Sequence, residues 1–471
     1  MSWTLLILLA AAQGMVALDV TVVNVALPAI GGDLYFGPGD LQWVVSVYVL
    51  VTGGLLLLGG RLSDLIGPRP TFFIGLGVFT MASLTSGIAQ SSMVLVVSRA
   101  LQGLGAALLS PAALSLITRT YSGTQRAKAL GAWGAIASGG AAAGLLVGGA
   151  LTTWLDWRWS FFINIPVGVA VLVLAIRLVP ASPRAERQKL DIAGAVIGTA
   201  GLAVTLYGIS GAAEHGWASA HTVYYLAGGL ALLVLFAAVE RHAARPLVPP
   251  ALWGERSLAA STVGIFGATI TLVGALFLGA FLLETTMNSS PLRTGVALLP
   301  MVVAIAFAAH LGSAVVNHLG AKSASTVGLL VAAVGAFQLS MVPQKANYAI
   351  NLLPGLAMLG FGLGLTFVIF SITSMADITT DRAGSASGLY MTAHDIGGAF
   401  GVAVLSTAAA SATSAPEALQ TLAGQQRGFL VAAAITVGCA LLAAATMPHY
   451  RPPADPSGAP KRRSGHGHFH G

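Results

Sequence analysis

The sequence predicts an all-α membrane protein in which two six-helix bundles flank an inserted helix pair. Three observations carry this: an extreme composition, fourteen apolar runs in a six-two-six order, and basic residues that collect on alternate loops. The chain has 471 residues, 56% of them hydrophobic and only 8% charged, with 58 glycines. Soluble domains carry roughly 25% charged residues, so this composition excludes one. At ~20 residues per span, fourteen spans take roughly 280 residues and leave about 190 for loops and tails, too few for a large extramembrane domain. The single cysteine, Cys439, excludes disulfide scaffolds, iron–sulfur clusters and Cys-based zinc sites.

In chain order the apolar runs cover 3–27, 41–59, 71–89, 92–117, 127–154 and 159–178, bounded by charged or Gly/Pro-rich breaks. The first has no Lys or Arg before it and continues into a polar pattern at Asp19, so it is expected to be a retained helix and not a cleaved signal. A charged break from Pro180 to Lys189 precedes two runs at 192–211 and 222–239, joined by a short polar loop around Glu214 and His215. After a second basic break come 258–283, 292–316, 324–342, 349–373, 385–412 and 428–447. The expected units are an N-terminal bundle over 1–178, an inserted pair over 190–240, a C-terminal bundle over 257–447, and a cytoplasmic tail over 448–471. That tail is rich in Pro, Gly and basic residues without apolar periodicity, so it is expected to be disordered. Its His466, His468 and His470 bind a metal weakly or belong to a tail without a site.

The distribution of basic residues tests the helix count, because one missed helix would invert every later loop. Of the 23 Lys and Arg residues, eighteen fall on one side, four on the other (Arg158, Arg293, Lys345 and Arg427), and Arg99 lies inside a run. Fourteen crossings therefore put both termini on the cytoplasmic side of a bacterial membrane. The formal charge of +7 is spread between apolar runs and reads as a topology signal, not as a nucleic-acid surface.

The loop after the second run reads Gly60-Arg61-Leu62-Ser63-Asp64-Leu65-Ile66-Gly67-Pro68-Arg69-Pro70, and its counterpart in the last six runs is Ser313 to Lys322. Setting Gly67 on Gly320 places Asp64 on Asn317 and Arg69 on Lys322, a faded internal repeat. Two such halves are the architecture of a secondary transporter with its site near the midplane. With Leu18-Asp19-Val20-Thr21-Val22-Val23-Asn24-Val25-Ala26-Leu27-Pro28 in the first run, and Arg99, Gln102, Gly103, Gly105 and Ala107 in the fourth, the chain resembles the major facilitator superfamily. The helix count resembles its fourteen-helix drug:proton antiporter branch, as do Trp157-Arg158-Trp159 leading into Asn164-Ile165-Pro166, and Ser290 to Gly295 leading into Pro300. The resemblance covers essentially the whole chain. It departs at Leu65 and Pro68, where the family usually has basic residues, at Gly144-Leu145, where the fifth-helix motif has Gly-Pro, and at His394-Asp395 before Ile396-Gly397-Gly398.

A charged side chain at the bilayer centre costs at least about 2.5–3.5 kcal/mol, so each is a functional hypothesis. Four qualify: Asp19, Arg99, Glu284 and Asp395. In an apolar cavity a carboxyl group loses hydration of its charged form, which favours proton loading near neutral pH. Asp19 is the expected proton coupler, the alternative being a carboxyl that only joins neighbouring helices through Thr21 or Asn24. Arg99 is a static brace, a modulator of the nearby acid, or both, and the resemblance adds Asn24 and Gln102 to the cavity. Glu284 is a coupler or snorkels to the interface. Asp395 is favoured over the adjacent His394 as the cavity-facing residue. Gly140, Gly144, Gly148 and Gly149 on the fifth run pack statically or give the two halves a smooth face on which to rock. With Asp64, Gly67 and Arg69 in the first basic loop, they form the expected gating set, in which Asp64 caps a facing helix.

There is no Walker A sequence, no HExxH and no Cys nucleophile outside the last run, so no enzyme is expected. No cofactor or metal is expected either. The energy source is the proton gradient, whose electrical part supplies ~2.3 kcal/mol per charge per 100 mV, about a forty-fold concentration ratio. The resemblance implies a monomeric proton-coupled exporter of small lipophilic, drug-like or antibiotic molecules working by alternating access in the bilayer. A transporter of a defined metabolite and a non-transporting sensor or scaffold are the alternatives. Three acids against one base in a shared cavity would favour cationic substrates. Topology is testable by thiol labelling in a Cys439→Ala background: Glu214→Cys and Arg187→Cys should label from opposite sides, and same-side labelling contradicts the fourteen-helix arrangement.

Overall fold

The computed structural model describes residues 3–36, 40–121, 123–179, 191–243, 246–247, 252, 254–378, 383–411 and 421–448. The Pro180–Lys189 break and nearly all of the 448–471 tail, with its three histidines, lie outside the described residues. The helices are α1 (Trp3–Asp33), α2 (Trp43–Ile66), α3 (Pro68–Gly87), α4 (Ser92–Thr120), α5 (Gly123–Trp154), α6 (Trp159–Phe162) and α7 (Asn164–Leu178). Then come α8 (Ile192–His215), α9 (Ala220–His242), α10 (Arg256–Phe281), α11 (Pro291–Leu319), α12 (Ala321–Ser340), α13 (Leu353–Ser374), α14 (Ala383–Ala410) and α15 (Leu422–Thr446). Among the described residues twelve segments are long and apolar enough to span a membrane, α6 and α7 counting as one. With α5 and α14, 32 and 28 residues long, the fourteen apolar runs are accounted for. At 1.5 Å per residue the 31 residues of α1 reach about 46 Å, past an apolar layer of about 30 Å.

Sequence sets the helix ends through capping. Side chains of Ser91, Asp191, Ser219, Ser290 and Thr421 accept backbone N–H groups at the starts of α4, α8, α9, α11 and α15. The two repeat loops end their helices alike. Gly67 (φ 96°) separates α2 from α3, and Gly320 (φ 77°) separates α11 from α12, a backbone region that strains any residue with a Cβ. Two features were not anticipated: five-residue π turns at Leu282–Thr286, after α10, and at Tyr348–Leu352, before α13.

The packing repeats as the sequence does. In the first half α1 packs on α5, α2 on α4 and α3 on α4; in the second α10 packs on α14, α11 on α13 and α12 on α13. Two symmetric seams join the halves, α2 with α14 and α5 with α11. Along the first, Ser406 donates to the Gln42 side chain, Ser46 Oγ reaches the Ala399 carbonyl at 3.5 Å, and Gly53 lies against Asp395. In the second, Gly149 lies against Pro291 and Leu292, Gly295 lies against Leu145, and the Leu292 N–H donates to Thr153 Oγ1 at 3.0 Å. These contacts are at the end opposite the basic loops. The inserted pair packs α8 on α9, and α8 also touches α2 and α14.

Helix spacing inside each bundle depends on glycine. A Cβ on Gly59 would stand 2.1 Å from the Ala107 carbonyl oxygen of α4, whereas one on Gly77 would meet nothing within 4 Å. Gly59→Ala should therefore destabilise the detergent-solubilised protein by about 1–3 kcal/mol through forced helix separation. Gly77→Ala should be neutral or stabilise by up to about 1 kcal/mol. Thermal unfolding of both variants checks the contrast.

Candidate functional site

The middle of the first bundle contains a charge network built from five helices. Asp19 of α1 and Arg99 of α4 are both 0% exposed. Arg99 donates to Asp19 Oδ2 at 2.5 Å, to Gln102 Oε1 at 2.7 Å and, through Nε, to the Val44 carbonyl of α2 at 2.9 Å. The other carboxylate oxygen, Oδ1, accepts from Gln102 Nε2 and from Asn164 Nδ2 of α7, each at 2.8 Å. Gln102 Nε2 also reaches Ser83 Oγ of α3 at 2.8 Å. The guanidinium lies over the Tyr48 ring of α2, 4.1 Å from its centroid, an added cation–π attraction.

Removing two ions from water costs several kcal/mol each and is tolerated where their remaining valences are hydrogen-bonded. This pair meets that condition. Asp19 accepts three donors and donates to none, the pattern of an ionised carboxylate. Loss of either partner would leave the other a buried ion without a counter-charge, so the pair ties α1 to α4. That linkage is the chemistry available to the site.

Asp19, Arg99 and Gln102 are thus brought together as the sequence indicates. Asn24 is not part of the group: its amide donates to the Val20 carbonyl within α1 at 2.7 Å. The expectation of one central cavity holding Asp19, Arg99, Glu284 and Asp395 is corrected. The first two neutralise each other inside the N-terminal bundle, Glu284 lies in the π turn at the end of α10, and Asp395 lies on the seam between α2 and α14. Asp395 and His394 do not point to separate environments either. Both side chains are partly exposed, and His394 Nδ1 lies 3.0 Å from Asp395 Oδ1, because an imidazole and a carboxylate are long enough to meet across the helix surface.

In the gating set, Gly140, Gly144 and Gly148 face α1, against Gly14, Thr21 and Val22 respectively. Their close approach is within one bundle, and only Gly149 meets the opposite half. Arg69 Nη2 donates to the Ile176 carbonyl at 3.0 Å, placing a cation at the C-terminal end of α7, and Gly67 makes the turn before it. The side chain of Asp64 lies outside the described residues. Sequence reasoning missed Ser83, Asn164 and Tyr48. Asn164 was visible as an amide in an apolar run, whereas nothing local distinguishes Ser83 from other helix serines.

The model of the Major Facilitator Superfamily matches residues 9–402. The chain belongs to this family. Among its relatives are a puromycin resistance protein of Streptomyces alboniger, 39% identical over 94% of this chain and 90% of that protein, and a cephamycin export protein of Amycolatopsis lactamdurans, 37% identical over 87% and 86%. A multidrug resistance protein of Mycobacterium tuberculosis is 31% identical over 87% and 77%. Among solved structures, a bacterial homologue of the human lysosomal transporter Spinster has a TM-score of 0.66 at 15% identity, covering 94% of this chain and 96% of that one, which shows the shared fold. This is an integral membrane transporter of the major facilitator fold and not an enzyme.

The network predicts non-additive stability. Asp19→Leu and Arg99→Leu should each cost about 3–5 kcal/mol by leaving a buried ion without its partner, and the double variant should cost less than the two together. Thermal unfolding of the three purified proteins measures the cycle, and simple additivity would show that the pair is not energetically coupled.

Proposed function

We propose that the protein is a proton-coupled exporter of small lipophilic, antibiotic-like molecules, working by alternating access between its two bundles in the bacterial cytoplasmic membrane. The observation that carries this reading is the buried Asp19–Arg99 network: a carboxylate whose protonation state is tied to the packing of α1 on α4. Full-length similarity to resistance and export proteins supports export of antibiotic-like compounds. The proton gradient is the energy source, the protein acts as a monomer, and both termini face the cytoplasm.

The separation of the acids changes the argument for substrate charge. Asp19 is compensated by Arg99, and Glu284 lies in the π turn at the end of α10. Of these acids Asp395, which lies on the seam with His394 as its neighbour, is the one placed to meet a substrate cation between the halves. A lipophilic cation there offsets the cost of a partly desolvated carboxylate, while an anion adds repulsion.

In energised everted vesicles, substrate should trigger proton release, and absence of release with every compound of an antibiotic panel would refute antiport. Asp395→Asn should lower transport of a cationic dye about tenfold, equivalent to ~1.4 kcal/mol, and leave a neutral dye nearly unchanged. Equal loss for both dyes would remove the role in charge selection.

A further inference from the structure

The end of α10 departs from ordinary helix geometry around an acidic residue. Over Leu282–Thr286 the chain forms a π turn, closed by the Met287 N–H on the Leu282 carbonyl at 3.2 Å, and Asn288 follows with φ 51°. Such turns are rare and concentrate at functional sites. This one is clamped from α15: Thr286 Oγ1 donates to Gln425 Oε1 at 2.7 Å, and Gln425 Nε2 donates to Thr285 Oγ1 at 3.0 Å. Gln425 is fully buried. With Thr285 and Thr286 engaged by α15, Glu284 stands beside Thr294 of α11. Among the described residues, Glu284 Oε1 and Thr294 Oγ1 are both buried without a hydrogen-bond partner.

Thr294 is part of the seam between the halves. Its neighbours Pro291, Leu292 and Gly295 make the contacts with Leu145, Gly149 and Thr153 of α5. An ionised Glu284 at this point would be a charge without a counter-ion. Arg293 of α11 and Arg427 of α15, on the elements packed against it, form no ion pair with it among the described residues. His310 and His318 lie farther along α11. On the other packed helices, α13 carries no charged residue, α14 has the His394–Asp395 pair, and on α1 Asp19 and Asp33 are each paired with an arginine. The Thr294 hydroxyl can serve either form, donating to a carboxylate or accepting from a carboxyl, so it supplies no counter-charge, and only the protonated form is neutral.

We propose that Glu284 is the proton-loading group of a gate formed where α11 meets α5, with Gln425 as the residue that positions it through the π turn. A proton from the aqueous phase at the 287–290 loop adds to the carboxylate, neutralises it and permits the α5–α11 contact. Loss of that proton leaves a partly buried charge without a counter-ion and favours separation of the two helices. The inference rests on the antiport reading for its purpose, but the gate has a readout of its own.

That readout is cross-linking of Thr153→Cys to Leu292→Cys by a short thiol reagent in a Cys439→Ala background, followed from about pH 5 to 10. The parent should cross-link about tenfold faster at the acidic end, a bias of ~1.4 kcal/mol. Glu284→Gln, permanently neutral and isosteric, should keep the fast rate at every pH. Gln425→Leu should shift the midpoint of the profile, a change that simple loosening of α15 would not produce. A pH-independent parent, or a Glu284→Gln variant retaining the parental profile, overturns the proposal. If the pH-dependent gate is present and depends on Glu284 while wild type shows no gradient-driven transport, the antiport reading fails and the gate stands.

Discussion

A carboxylate and a guanidinium neutralising each other inside an apolar bundle is the interaction on which the first half of this protein depends. The Asp19–Arg99 pair draws in Gln102 from α4, Asn164 from α7, Ser83 from α3 and the Val44 carbonyl from α2. Removal of one member takes a hydrogen bond from another buried polar group, which is why the set acts as a unit. The cost of burial fixes α1 against α4, because separating them would strand both ions.

The second bundle repeats the architecture without the charge. Its α10 corresponds to α1 by packing, and its final helix α15 takes the place of α6 and α7. There the corresponding helices share a hydroxyl pair, Thr271 Oγ1 and Thr436 Oγ1 at 2.8 Å, both residues buried. A neutral hydrogen bond of this kind contributes about 1 kcal/mol and does not titrate in the physiological range. The pseudo-symmetric halves are thus chemically unequal: the first handles charge at its centre, while acids in the second stand at its edges, on the seam at Asp395 and in the π turn at Glu284.

This inequality explains which parts were legible in the sequence. The helices could be read because a span must be apolar on nearly every face, so run length alone identifies it. The Gly67 and Gly320 turns were equally open to reading, since both positions require positive φ. Asp19, Arg99 and Gln102 stood out as polar residues in apolar runs. What was hidden depends on rotation about helix axes. Gly140, Gly144 and Gly148 share a face, but sequence does not say whether that face meets α1 or the other half. The same ambiguity merged Asp19, Glu284 and Asp395 into one imagined cavity. The π turn was hidden for another reason, since Leu-Leu-Glu-Thr-Thr has no breaker residue and its geometry is set by Gln425, 139 residues beyond Thr286.

The position of the inserted pair constrains how the halves move. Thr199 of α8 lies against Gly54 of α2, the Tyr207 ring stands 6.4 Å from Trp43 of α2, and Thr407 of α14 donates to the Ile209 carbonyl of α8 at 3.1 Å. One helix therefore touches both sides of the α2–α14 seam. If α2 and α14 separate during alternating access, α8 cannot keep both sets of contacts. It packs as extensively on α14, where the hydrogen bond lies, as on α2, where the contact includes a close glycine approach and an aromatic pair. Helix α8 thus straddles the seam on which Asp395 lies, so separating α2 from α14 must break one set of its contacts.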